Sequence, residues 1–171
     1  MIQTLLDLDT TLLLSAGSLA GRESARLISI CGELIVLYGM IVLVGLWLLG
    51  VYRKTNTPKL SALEIFTTII LTFGLYAIIN LGVPQWRIGA MELTGATALI
   101  PHPVDNSFPS GHALFTATLI VGLWNFSRKW SLIGGAIVFG LITASARVIG
   151  GVHYPGDILG GWLFGSIGAC I

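Results

Sequence analysis

Five long runs of apolar residues constrain this chain more than any other feature of its sequence. They cover residues 27–51, 60–81, 109–126, 132–149 and 155–171. About 20 apolar residues in an α-helix cross the hydrocarbon core of a bilayer. Only 10% of the 171 residues are charged, whereas a soluble domain carries about 25%. The chain has too few polar groups to cover a water-facing surface, and we predict an all-α, polytopic membrane helix bundle with about five transmembrane helices.

The segment before the first run differs from the spans because it is shorter and carries acidic residues. Asp7 and Asp9 interrupt its apolar positions, a pattern typical of an amphipathic helix that lies in the membrane interface. We therefore predict a single membrane-embedded domain over residues 1–171. Residues 1–26 form its interfacial helix and hinge, and residues 83–108 form the longest connection between spans.

The basic residues predict how the bundle is oriented. The loops after the first and third spans are on the same side of the membrane by parity, and the excess of Lys and Arg in such loops marks the cytoplasmic side. The connection over residues 83–108 and the turn over residues 147–154 then fall on the outer face. The net charge of +1 gives no indication of nucleic acid binding. The basic residues of the two inner loops are Arg53, Lys54, Lys59, Arg128 and Lys129.

The stretch over residues 145–161, SARVIGGVHYPGDILGG, brings three chemically active side chains together in an apolar chain. If the segment after Pro155 is helical, Asp157 lies in its first turn, within reach of His153. A carboxylate there can keep one imidazole nitrogen protonated and orient the other, which makes a neutral histidine a nucleophile. Arg147 adds a guanidinium that binds phosphate oxygens in a fork. The pattern indicates phosphoryl chemistry.

A second stretch, Phe108-Pro-Ser-Gly-His112, opens the third span. Proline suits the first helical position, so we predict that the helix begins at Pro109. The free N–H groups and positive dipole of a helix N-terminus attract an anion. Ser110 adds a hydroxyl group, Gly111 allows close approach of the backbone, and His112 adds a second imidazole. The stretch is a candidate phosphate cradle beside a proton donor.

These two stretches resemble the motifs of the type 2 phosphatidic acid phosphatase family. That family includes bacterial lipid phosphatases, glucose-6-phosphatase and vanadium haloperoxidases. Its signature is K-x6-R-P, then PSGH, then S-R-x5-H-x3-D. This chain has PSGH at residues 109–112 and R-x5-H-x3-D at residues 147–157. The resemblance covers residues 80–161 and implies a membrane-embedded phosphatase.

The resemblance also implies a role for each matching residue. His153 would attack phosphorus and form a phosphohistidine, Asp157 would orient it, and His112 would protonate the leaving oxygen. No metal or other cofactor is implied, because the chain has no carboxylate cluster and arginines neutralise the charge. The groups that would hold the phosphoryl oxygens are Arg87, Arg147, Ser110 and the Gly111 amide.

The first motif of the family is altered in this chain. The matching window is Asn80-x6-Arg87, with Asn80 in place of the family lysine and Ile88 in place of the proline. In the third motif, Ala146 replaces the serine. Losing the lysine removes one cation, which is compatible with a less anionic substrate, a compensating cation such as His102, or reduced activity.

Glu33 is the one residue of the first span that is charged at neutral pH. Carboxylates inside membrane spans are functional candidates. Glu33 also lies near the outer end of its span, where a carboxylate can simply reach water. Both interpretations stay open at the level of sequence.

The function predicted from these features is hydrolysis of a lipid phosphate or diphosphate, of the undecaprenyl diphosphate or phosphatidylglycerophosphate type, at the outer membrane face. The expected setting is the bacterial inner membrane, with the bilayer and the lipid phosphate as partners. Two alternatives stay open. A transferase would pass the same phosphohistidine to another lipid, and a lipid-binding or transport protein would keep the fold without turnover.

Overall fold

A computed structural model of the chain describes residues 2–82, Leu99 and residues 107–170. Six α-helices run through these residues, with a 3₁₀ turn before α2 and a single π-helical turn after α4. Their bounds are Ile2–Gly17 (α1), Arg22–Ser24 (3₁₀), Ala25–Tyr52 (α2), Thr57–Gly82 (α3), Gly111–Gly122 (α4), Leu123–Ser127 (π), Trp130–Ile149 (α5) and Pro155–Gly168 (α6). The predicted all-α helix bundle is confirmed. The predicted 83–108 connection lies outside the described residues, apart from Leu99, Ser107 and Phe108.

Three of the helices are long and apolar enough to cross a membrane, namely Ala25–Tyr52, Thr57–Ile78 and Trp130–Ile149. The helices α4 and α6 are shorter, with 12 and 14 residues. Large apolar side chains remain exposed along the bundle, among them Leu71 and Leu159. A surface of this kind is stable against lipid tails and not against water. The structure therefore supports a membrane protein, and the full count of five crossings stays a prediction.

The centre of the bundle is an apolar cluster shared by α2, α3, α4 and α5. Its side chains come from one face of each helix, because positions three or four residues apart share a face. Ile35, Ile65 and Leu119 are fully buried there. The cluster comprises Ile35, Val42, Leu46, Ala62, Ile65, Ile69, Leu119, Leu123, Ile133 and Ala136.

The helices α4 and α6 make the most extensive contact of any helix pair in the part of the chain that the structure describes. Two glycines of α6 make this contact possible. A Cβ added at Gly161 would lie 2.5 Å from the carbonyl oxygen of Ser110, and one added at Gly165 would overlap the carbonyl oxygen of Leu114. Small residues let membrane helices approach at backbone distance. The contact holds the start of α4 against the start of α6, where the two predicted motifs lie.

The predicted N-terminal helix forms as α1, and it also packs against protein. Its Leu13 is buried against Tyr154 and Val148, while Leu8, Leu12 and Leu14 remain exposed. The helix thus has one face on α5 and α6 and another apolar face that is free to meet lipid. Its position within the membrane interface stays a prediction.

The prediction that Pro109 opens the third helix is wrong. The helix α4 begins at Gly111, and Ser110 is its N-cap residue with extended backbone angles of φ −68° and ψ 120°. The N–H of Ser110 donates to the carbonyl oxygen of Asp157 over 3.0 Å, which holds this residue outside the helix. Pro155, by contrast, does lie in the first turn of α6.

The two loops that carry the basic residues lie at the same end of the bundle. One joins α2 to α3, and the other joins α4 to α5. Ser61, near the start of α3, donates through its hydroxyl to the carbonyl oxygen of Phe126 over 2.7 Å. The candidate catalytic side chains lie at the opposite end, where α2, α4 and α6 begin and α5 ends.

Candidate active site

A tight turn places Arg147 beside His153. Arg147 lies in the last turn of α5, and its carbonyl oxygen accepts hydrogen bonds from the N–H groups of Val152 and His153, at 3.1 and 3.3 Å. The chain reverses through Gly151, whose φ of 77° is a left-handed angle that glycine adopts without steric cost. The turn brings a candidate phosphate-binding cation and a candidate nucleophile together, and both side chains are buried.

Two acceptors among the described residues lie on the Nδ1 side of the His153 ring. The carbonyl oxygen of Ser107 is 3.1 Å from Nδ1, and Oδ2 of Asp157 is 3.8 Å from the same atom. A proton on Nδ1 satisfies either acceptor, and the lone pair then lies on Nε2. The arrangement suits a nucleophile that attacks through Nε2. The sequence predicted Asp157 as the orienting group, and the structure adds the nearer carbonyl of Ser107.

Asp157 connects the two motifs through its backbone and its side chain. Its carboxylate is fully buried and accepts the N–H of Tyr154 over 2.9 Å. Its own N–H donates to the Tyr154 carbonyl over 3.0 Å, and its carbonyl accepts the N–H of Ser110 at the same distance. The start of α6 is therefore tied both to the His153 turn and to the start of α4.

Ser110 and Gly111, at the start of α4, form a site that an anion can approach. The hydroxyl of Ser110 is buried, and within the described residues no group hydrogen-bonds to it. A Cβ added at Gly111 would come no closer than 3.9 Å to Phe73, so there is space beside this backbone. Free N–H groups, a helix dipole and an unused hydroxyl make a suitable cradle for phosphoryl oxygens.

The carboxylate of Glu33 bridges the second imidazole and the arginine. Its Oε2 lies 3.2 Å from Nε2 of His112, and its Oε1 lies 3.5 Å from a terminal guanidinium nitrogen of Arg147. The side chains of His112 and Arg147 are 21% and 6% exposed, whereas that of Glu33 is 60% exposed. Glu33 thus contacts two candidate site residues and also reaches water, and its functional role stays a prediction.

Asp9 stabilises the candidate site through a contact that the sequence pattern did not predict. Its Oδ1 accepts the N–H of Gly156 over 2.8 Å, and the residue is buried although it lies on α1. Gly156 belongs to the first turn of α6, where backbone N–H groups lack helical partners. A carboxylate at this position also complements the helix dipole. Asp9 therefore caps the helix that carries Asp157 from a distant part of the chain.

Most of the residues predicted from the sequence come together at this end of the bundle. They are His112, His153, Asp157, Arg147, Ser110 and Gly111. Asn80 lies in the last turn of α3, and nothing is described of its side chain. Arg87 and the alternative cation His102 lie outside the described residues. The predicted match of the first motif is therefore still a prediction.

Comparison with known families and relatives identifies the same region. The family described as the PAP2 superfamily matches residues 60–171. An undecaprenyl-diphosphatase of Sulfolobus acidocaldarius is 47% identical over 123 residues, covering 70% of this chain and 55% of the relative. Phosphatidylglycerophosphatase B of Haemophilus influenzae is 45% identical over 86 residues, covering 41% of this chain and 36% of the relative. The chain thus spans about half the length of the first relative and about a third of the second.

A solved structure shares the arrangement of the helices. The crystal structure of a transmembrane PAP2-type phosphatidylglycerolphosphate phosphatase from Bacillus subtilis aligns with a TM-score of 0.61 at 24% identity, covering 98% of this chain and 83% of that one. At this identity the likeness concerns the fold. The match of the family over residues 60–171 includes both motifs of the site, and the chain belongs to the PAP2 superfamily.

Proposed function

We propose that this protein hydrolyses a lipid phosphate or diphosphate through a phosphohistidine on His153. The observation that carries the proposal is the arrangement around that residue. Its Nδ1 faces the Ser107 carbonyl and the Asp157 carboxylate, which leaves the lone pair of a neutral imidazole on Nε2 as the nucleophile. The same turn also holds Arg147, whose guanidinium is buried. Phosphoryl transfer mainly needs a positioned nucleophile and neutralised oxygens, and these groups supply both.

The proposed reaction has two steps. Nε2 of His153 forms a bond to the terminal phosphorus while the bond from that phosphorus to the oxygen of the leaving lipid alcohol or lipid phosphate breaks, and His112 gives that oxygen a proton. Water then gives a proton to His112 as it attacks the phosphohistidine, which releases inorganic phosphate and frees His153. General acid assistance of this kind contributes about 10²–10⁴-fold. Arg147, Ser110 and the Gly111 amide would hold the phosphoryl oxygens in both steps, with Arg87 as a further cation.

The substrate class proposed is a membrane lipid with a terminal phosphate or diphosphate. A bundle that exposes apolar side chains along its length keeps the site beside the bilayer, so a lipid tail can stay in the membrane during reaction. Relatives named undecaprenyl-diphosphatase and phosphatidylglycerophosphatase B support headgroups of these two kinds. We propose no metal, because arginine and helix N–H groups supply the charge neutralisation.

We also place the site on the outer face of a bacterial inner membrane. The support is the separation of the basic loops from the candidate site, which lie at opposite ends of the bundle. Single cysteines introduced at Asn56 and at Asp105, in a variant whose two native cysteines are replaced, test this orientation with an impermeant thiol reagent. We expect labelling of the Asp105 position from outside and of the Asn56 position only after the membrane is opened. Labelling of both from one side would contradict the proposal.

Phosphate release from purified protein in detergent tests the function itself. The substrates are undecaprenyl diphosphate, undecaprenyl phosphate, phosphatidylglycerophosphate and phosphatidic acid, each with excess chelator. We expect release from at least one of them in chelator, and none from the His153→Ala variant. Activity that disappears with chelator and returns with Mg²⁺ would contradict the metal-independent reaction. Equal release by the variant would remove His153 from the chemistry.

A further inference from the structure

The reaction proposed above assigns no role to Glu33. Its carboxylate contacts two of the groups assigned to the phosphate and the leaving oxygen, one with each of its oxygen atoms. These contacts are 3.2 Å to His112 and 3.5 Å to Arg147. A carboxylate and a phosphate offer the same kind of oxygen acceptor to a guanidinium and an imidazolium. An anion of the protein thus lies where an anion of the substrate is expected.

We infer that Glu33 is a built-in competitor for the phosphate group, which leaves the site when substrate binds and returns when product leaves. This inference rests on the proposed function, because it uses the phosphate site assigned there. It adds to that function a residue that sets the affinity for phosphate. Glu33 lies outside the PSGH and R-x5-H-x3-D motifs, so its carboxylate reaches the candidate site from the first span and not from either motif.

The exposure of the three side chains supports a mobile competitor. Glu33 is 60% exposed, while Arg147 is 6% exposed, so the carboxylate lies on the solvent side of a buried cation. An ion pair whose carboxylate is open to water is weakened by solvent screening, so a phosphate can displace Glu33 from Arg147. If Glu33 were a permanent partner of His112, it would instead be expected to remain beside the leaving group throughout the reaction.

The competition has a measurable consequence. A ligand that binds only when Glu33 has moved away shows an apparent dissociation constant equal to the intrinsic one divided by the fraction of open sites. The displaced carboxylate also repels the bound phosphate. At a separation of about 6 Å and an effective dielectric of about 40, one unit charge changes the affinity roughly tenfold. Removing the charge should therefore tighten the binding of every phosphate ligand.

The test compares Glu33→Gln with wild type and with Glu64→Gln. Glutamine keeps the size of the side chain and removes its charge. Glu64 is an exposed carboxylate of α3 near the opposite end of the bundle, so its variant is a control for charge removal alone. The measurements are kcat and KM for the lipid that wild type hydrolyses, the inhibition constant of inorganic phosphate, and the rise in melting temperature that inorganic phosphate produces in detergent.

For Glu33→Gln we expect both KM and the phosphate inhibition constant to fall about tenfold, with a larger phosphate-induced rise in melting temperature than in wild type. We expect Glu64→Gln to match wild type. Unchanged phosphate affinity in Glu33→Gln would overturn the inference. So would a loss of kcat at constant KM, because that result makes Glu33 a retained partner of His112.

The two proposals can fail separately. If wild type releases phosphate from no lipid tested, the proposed function fails. The melting-temperature measurement still tests Glu33 in that case, because it needs only inorganic phosphate and folded protein. Equal stabilisation of wild type and Glu33→Gln by phosphate would then reject the competitor.

Discussion

Gly161 lies where α6 makes its closest approach to the start of α4. A Cβ at this position would be 2.5 Å from the Ser110 carbonyl oxygen, 2.7 Å from Cβ of Ala113 and 3.0 Å from the backbone nitrogen of Leu114. Two of these three atoms belong to the backbone and cannot rotate away. We therefore expect Gly161→Ala to separate the two helices by about 1 Å at their site-facing ends, because overpacked cores relax mainly by such shifts.

The expected cost combines two opposite terms. Overpacking destabilises a protein by about 1–3 kcal/mol, and replacing glycine by alanine within a helix returns about 0.5–1 kcal/mol. The free energy of unfolding should therefore fall by roughly 0–2.5 kcal/mol, with a central value of about 1 kcal/mol. The loss in rate should be larger, because Ser110 and His112 move relative to His153. A displacement of about 1 Å can cost about 10²-fold.

The assay measures kcat for phosphate release and the thermal unfolding of the same preparation in detergent. Gly45→Ala is the matched control, since a Cβ added at Gly45 meets no atom within 4 Å. We expect Gly45→Ala to keep full activity and to gain a little stability. If Gly161→Ala behaves in the same way, the close packing of α4 on α6 does not hold the two motifs in register.

Three further substitutions test separate parts of the site. His112→Ala should slow the hydrolysis of an alkyl phosphate by about 10²–10⁴-fold and spare an aryl phosphate, because a good leaving group needs no proton; equal impairment of both substrates would remove His112 as the acid. Asp9→Ala should lower the free energy of unfolding by about 0.5–2 kcal/mol, as lost helix caps do, and should slow phosphate release. Asp9→Asn keeps the oxygen acceptor and should therefore keep most of the stability and most of the rate. Identical behaviour of the two variants would show that the hydrogen bond to Gly156 is unimportant. Asn80→Lys should shift KM or the preference between mono- and diphosphate, because it restores the family cation; unaltered kinetics with every substrate would show that the first motif is aligned wrongly.

The sequence was sufficient to predict the helices, because each follows from a long local pattern. The predicted span over residues 27–51 appears as Ala25–Tyr52, and that over residues 132–149 appears as Trp130–Ile149. The error at Pro109 has a tertiary cause. The residue after it is held extended by a hydrogen bond to Asp157, and no local preference of proline contains that information.

The support of the site could be predicted only in part, for the same reason. His153 and Asp157 are four residues apart at the start of α6, so the short chain between them already keeps them near each other. Glu33 and His112 are 79 positions apart, and Asp9 and Gly156 are 147 apart. Asp9 resembled an interruption of an amphipathic pattern, although it is a buried cap. Pairings of this kind depend on which helices pack together, which the pattern within each helix does not specify.

The most direct measurement of the central claim is the capture of phosphate on His153. Purified protein is mixed with a lipid phosphate labelled on its terminal phosphorus and quenched within the first turnover in alkaline detergent. We predict that wild type carries label that survives base and is lost in acid, as a phosphoramidate does, and that His153→Ala carries none. Base-stable, acid-labile label on His153→Ala, or hydrolysis by wild type without labelled protein at the earliest times, would contradict the account.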